Sequence, residues 1–123
     1  MEKGSYLKAL QLVKFAQKIA EDKKGLDPVI LNVGRKSSVA SYFLVVHGTS
    51  DRHVRAIADN IIEQLEMKGE RVWHLEGMNE GRWVLLDYAD VVIHVFHYEM
   101  RNFYGLERLW GSSERKKRHA RKN

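Results

Sequence analysis

Gly48, Thr49 and Ser50 follow an apolar run and precede a helical pattern, the setting in which free backbone amides at a helix start can hold an anion. The chemistry such a turn could serve is nucleotidyl transfer. That reaction needs two or three carboxylates converging on divalent metal, to activate a hydroxyl and neutralise phosphate. The strand expected after the helix, RVWHL from Arg71 to Leu75, carries no carboxylate. Asp87 and Asp90 flank a tight turn, where aspartate commonly stabilises local backbone. An ordinary cap accounts for the same residues: Ser50 or Thr49 can accept from the helix amides, and Asp51 suits the positive end of the dipole.

Other reactive side chains also fail to converge. His94 and His97 are three positions apart, which on a strand puts them on opposite faces. His47 on a neighbouring strand could approach one of them, but a typical zinc site takes three protein ligands. Histidines at strand ends are more often hydrogen-bonded structural groups. Ser37, Ser38 and Ser41 lack the sharp turn that exposes a nucleophilic serine, and the chain has no cysteine. No catalytic constellation, metal site or cofactor is expected.

The chemistry that the spacing does support is contact. From Glu80 to Trp110 the chain reads EGRWVLLDYADVVIHVFHYEMRNFYGLERLW. Alternation places Trp83, Leu85 and Asp87 on one face of a strand and Val84, Leu86 and Tyr88 on the other. In the next strand Val91, Ile93 and Val95 make an apolar face, opposite a mixed face of Val92, His94 and Phe96 that suits a wet contact surface. Trp83 and Tyr88 are hot-spot residue types, and Glu76, Glu80, Asp87 and Asp90 surround them with negative charge. Two readings fit: a docking site for a basic protein surface, or a core tryptophan with a solvated acidic rim.

The elements that must position these groups alternate along the chain. A first helix is expected from near Ser5 to about Lys23, with Tyr6, Leu10, Val13 and Ala16 or Ala20 as its stripe, widened by Leu7, Phe15 and Ile19. Val29–Val33 and Tyr42–His47 read as strands joined by a polar connection. Val54, Ile57, Ala58, Ile61, Ile62 and Leu65 give the cleanest helical period, stopped at Lys68-Gly69. Arg71–Leu75 reads as a short strand, and the two strands above meet through Tyr88-Ala89. One final helix from near Tyr98 carries Phe103, Leu106 and Trp110. The plan is a single α/β domain, a mixed sheet of about five strands flanked by helices.

At 123 residues the chain can bury a real core. No apolar run approaches the ~20 residues of a membrane span, and the N-terminal segment has no signal-peptide h-region. The absence of cysteine fits a reducing cytoplasm. The formal charge of +5 is localised: Arg115, Lys116, Lys117, Arg118, Arg121 and Lys122 carry the excess, which leaves the rest of the chain nearly neutral. We therefore divide the chain into a domain over 1–113 and a basic, disordered tail over 114–123. The tail fits either salt-sensitive attraction to phosphate or a solvated terminus that aids solubility.

Three ordered blocks carry a further signal: SSVASYFLVVHGTSDRHVRAIADNI (Ser37 to Ile61), EGMNEGRWVLLDYADVVIHVFH (Glu76 to His97) and EMRNFYGLERLWG (Glu99 to Gly111). From Leu7 to Trp110 the chain resembles the Iojap family, the ribosomal silencing factors of bacteria and organelles. The resemblance implies a mixed sheet with a distant nucleotidyltransferase-like topology and no known enzymatic activity. It implies binding to the large ribosomal subunit through ribosomal protein fourteen (L-fourteen), which blocks joining of the small subunit and lowers translation when nutrients are scarce. The docking segment it implies matches Arg82 to Asp90, with Trp83, Leu85, Asp87 and Tyr88 as contacts and Glu76, Glu80 and Asp90 as neighbours. Isolated members of that family can be homodimers, and a dimer using the same sheet face would compete with docking. Ribosomal RNA is the expected phosphate partner of the tail. His47 and Ala89 depart from residues common in the family, which bears on packing more than on mechanism.

Overall fold

The structure is a computed structural model that describes residues 8–110. In chain order the elements are α1 (Ala9–Asp22), β1 (Leu26–Asn32), β2 (Tyr42–Gly48), α2 (Asp51–Met67), β3 (His74–Glu76), β4 (Trp83–Asp87), β5 (Val91–His97), α3 (Tyr98–Tyr104) and α4 (Leu106–Trp110). They form one five-stranded sheet in the order β1-β2-β5-β4-β3. Only β2 and β5 run parallel; the other three pairs are antiparallel. The mixed α/β sheet expected from the sequence is present.

Helices α1 and α2 pack on each other and on one face of the sheet. Between them lies the larger core, where Leu44, Val46, Val84, Leu86, Val91, Ile93 and Val95 meet Val54, Ile57, Ala58, Ile61 and Leu65. Each of the valine, leucine and isoleucine side chains contributes about 2 kcal/mol through burial, and Ala58 about 0.8 kcal/mol. The α2 period is the one read from the sequence, except that Ile62 is only partly buried. Ser50 caps the helix, its hydroxyl accepting from His53 N–H at 3.0 Å.

Helix α1 is rotated from the expected stripe. Leu12, Val13, Ala16, Ile19 and Ala20 are buried, whereas Leu10 is 43% exposed. Leu12 lies one turn before Ala16 and two before Ile19, so it shares their face. Ser5, Tyr6 and Leu7 lie outside the described residues.

Three boundaries also differ. Strand β1 begins three residues early and carries Pro28 across a bulge between Leu26 and Val29, which an edge strand tolerates. Strand β3 begins three residues late, at His74, because Glu70 N–H still bonds Leu65 C=O below the helix end. The single C-terminal helix is two helices, broken where Gly105 takes φ 63°, a left-handed step that glycine makes without steric cost. The Ala89 departure falls on a residue at φ 72° in the β4–β5 turn, where a Cβ costs about 1–2 kcal/mol.

Candidate docking face

Register decides which side chains share the second face of the sheet. Trp83 stands opposite Phe96, Leu85 opposite His94 and Asp87 opposite Val92, while Phe43 on β2 stands opposite Val92 from the other side. At one end this face is a second core: Val29, Leu31, Val33, Ala40, Val45 and Phe96 are buried, with Met100 and Leu106 packed against them. The sequence assigned His94 and Phe96 to a wet surface, but His94 is 4% exposed and Phe96 is fully buried. Phe96 is covered by the chain after β5, whose Met100 and Leu106 pack on its cluster, and His94 is enclosed by the rings of Phe43, Trp83 and Phe96. What stays half open is a strip of Phe43, Val92, Trp83, Leu85 and Asp87.

Trp83 is the best defined member. Its ring stacks on Phe96 at 5.2 Å between centroids, tilted 25°. Its indole N–H donates to His94 Nδ1 at 3.1 Å. Asp87 is fixed by accepting from Ala89 N–H at 2.8 Å. Glu76, paired in register with Leu85, is exposed and its carboxylate accepts a hydrogen bond from His74 Nε2–H. Asp90 is exposed at the β4–β5 turn, its carbonyl accepting from Ser41 and Tyr42 N–H. Glu80 is exposed in the loop that leads into β4, at the opposite end of that strand from Asp90. The structure thus gathers Trp83, Leu85, Asp87 and Glu76 on one face, with Asp90 at its edge and Glu80 apart.

Tyr88 does not join them. It is 7% exposed within the larger core, and its hydroxyl is buried without a hydrogen-bond partner. Burial first, then the charges of Glu66 and Glu70, push its pKa up. Tyr88→Ala is therefore expected to cost stability, about 3–5 kcal/mol on the scale of large aromatic truncations. Tyr88→Phe should hold or raise stability by removing the unpaired hydroxyl. Urea denaturation of the two variants checks both; a harmless Tyr88→Ala would refute the placement.

The reading that the histidines are hydrogen-bonded structural groups fits His53, His47 and His97. His53 Nδ1 accepts from Thr49 N–H at 3.0 Å and its Nε2–H donates to Lys23 C=O at 2.8 Å. A Cβ on Gly48 would meet this ring at 3.0 Å. The turn that could have cradled phosphate is thereby filled by an imidazole and by the Ser50 cap. His47 Nδ1 accepts from Arg101 at 2.9 Å; burial and then the guanidinium push its pKa down. His97 Nδ1 caps α3 through Glu99 N–H at 3.2 Å. Among the described residues no group of three or more His, Asp or Glu is placed to hold a metal ion.

Burial pushes the His94 pKa from its ordinary 6.5 to about 4. A histidine held neutral in the folded state contributes nothing above pH 6.5. As pH falls from 6.5 to about 4 the unfolded chain takes up the proton first, so stability falls. The loss from this group approaches about 3 kcal/mol at full extent. Denaturation midpoints across that window should decline less in His94→Phe than in the wild type; parallel decline would remove His94 as the cause.

The fold and this face describe a small α/β domain with a half-open aromatic strip edged by carboxylates. A family model described as "Ribosomal silencing factor during starvation" matches residues 6–123. This chain belongs to that family. It is 45% identical over 102 residues to the ribosomal silencing factor of Bacillus subtilis, covering 83% of this chain and 86% of that one. The chloroplastic Iojap protein of maize is 30% identical over 105 residues, which is 85% of this chain and 44% of the maize protein. A crystal structure from Chromobacterium violaceum superposes with a TM-score of 0.83 at 34% identity, covering 86% of this chain and 88% of that one. The family match runs through the basic segment, past the Trp110 limit of the motif resemblance. Arg115, Lys116, Lys117, Arg118, Arg121 and Lys122 lie outside the described residues. No helix among the described residues is long and apolar enough to cross a membrane.

Proposed function

We propose that the protein is a translational repressor that docks on the large ribosomal subunit through ribosomal protein fourteen and sterically blocks joining of the small subunit. The observation that carries this reading is the half-open strip on β4. It combines an aromatic anchor, Trp83, with Leu85 and with the carboxylates of Asp87 and Asp90, which form no ion pair among the described residues. Such a strip suits a basic protein surface, because an apolar centre with charge at its rim is how stable interfaces are built. Occlusion of the intersubunit face needs neither cofactor nor turnover, and it would act in the cytoplasm, where nutrient shortage must be met. The sheet order is read as a nucleotidyltransferase-like topology put to binding use. A homodimer formed through the same strip would compete with docking.

Co-sedimentation with purified ribosomal subunits tests the proposal. The expected result is comigration with the large subunit alone, together with slower subunit joining as the protein is titrated in. Equal binding to both subunits and to free RNA would sink it.

We assign the basic tail a secondary role, attraction to ribosomal RNA phosphate. Deleting Arg115–Asn123 should flatten the dependence of log affinity on log salt, by roughly 0.7–0.9 for each phosphate that the tail had neutralised, without abolishing binding. Complete loss of binding at every salt concentration would make the tail the primary anchor instead.

A further inference from the structure

The stack on Phe96 holds Trp83 at a fixed tilt, but a stack tolerates rotation of the indole in its own plane. A hydrogen bond does not, since it weakens steeply away from linearity. The indole N–H donates to His94 Nδ1 at 3.1 Å. For Nδ1 to accept, the neutral ring must carry its proton on Nε2. That Nε2 is buried and has no hydrogen-bond partner, and a buried donor without an acceptor lowers stability. The ring is also set among aromatics, with Phe43 edge-on at 4.7 Å and Phe96 nearly parallel at 6.2 Å. For packing alone a phenyl ring would serve better at this position. What imidazole brings that phenyl lacks is an acceptor aimed at Trp83.

We propose that His94 is a positioning residue for docking: it fixes the orientation of the Trp83 indole before the partner arrives, at some expense to the stability of the fold. The inference rests on the docking-face reading and adds a residue that no partner need touch. Orienting an anchor in advance removes ordering that binding would otherwise have to supply. The acceptor is present at neutral pH because burial keeps the ring uncharged.

The test separates position from packing. His94→Phe should fold with unchanged or higher stability, move the Trp83 indole N–H resonance and speed its hydrogen exchange. It should also weaken binding to purified large subunits about fivefold, the worth of one hydrogen bond. His94→Asn, whose side-chain oxygen can sit close to the place of Nδ1, should restore the resonance and most of the affinity. If His94→Phe does not fold, His94→Met supplies the apolar arm, since methionine fills irregular gaps. An unmoved indole resonance in the apolar variant overturns the proposal. So does wild-type affinity in that variant while Trp83→Ala binds poorly, and in that case the docking face stands. If Trp83→Ala also binds like the wild type, the docking-face reading itself has failed and the inference falls with it. Equal losses in the Phe and Asn variants would assign His94 a packing role only, which again overturns the proposal.

Discussion

Trp83→Ala is expected to weaken co-sedimentation with the large ribosomal subunit about 30-fold or more. Anchors of this type cost about 2 kcal/mol or more when truncated at the centre of an interface. Trp83 meets the structural conditions: it is half buried, stacked on Phe96, and flanked on its own strand by Leu85 and Asp87. The substitution will also lower stability, because the stack contributes about 0.5–1.5 kcal/mol beyond its buried area. Binding must therefore be measured where a thermal melt shows the variant folded. Trp83→Phe is the companion variant, keeping the stack while losing the indole donor, and it should fall between the two. If folded Trp83→Ala still comigrates at wild-type protein concentrations, the β4 strip is not the docking face.

The second large effect concerns stability. Glu107→Ala should destabilise the fold by about 3–5 kcal/mol, the cost of leaving one partner of a buried ion pair alone. Arg101 and Glu107 make two parallel bonds, Nε to Oε1 and Nη2 to Oε2, each 2.9 Å long. Their side chains are 6% and 9% exposed. The guanidinium also donates to His47 Nδ1 and, at 3.3 Å, to Leu26 C=O. With Glu107 gone, its nearest carboxylate is Asp27, 3.8 Å away and half exposed. The double variant Arg101→Met/Glu107→Leu should recover most of the loss, since apolar replacement of a buried pair is often neutral. A urea midpoint for Glu107→Ala within about 1 kcal/mol of the wild type would show that the pair is not holding the C-terminal helices to the sheet.

How much of this could be read from the residues depends on whether the information is local. The alternation of Trp83, Leu85 and Asp87 against Val84 and Leu86 needs only a period of two, and it placed both faces of β4 correctly. The same rule put Tyr88 on the core side, even though its residue type drew it into the contact set. The period of α2 and its Ser50 cap are local in the same sense. Register is not. That Phe43 neighbours Val92, or that His94 lies within reach of the Trp83 indole, follows from which strands pair and at what offset. The C-terminal fold-back that covers Phe96 turns at a left-handed glycine and carries an ion pair between Arg101 and Glu107. Neither Gly105 nor Glu107 looked different from a surface helix residue.

The parallel ladder between β2 and β5 has a kinetic consequence. It pairs Tyr42 with Val91 and Gly48 with His97, residues about fifty apart in the chain. The β2–β5 ladder cannot form until that loop is closed, and the closure entropy is met before any contact there rewards it. The hairpin of β4 and β5, which carries the strip, has little stability of its own, as two strands seldom do in water. A peptide spanning Trp83 to His97 should therefore be a poor competitor for the intact protein. The face is therefore expected to be completed late in folding, when the two halves of the sheet meet.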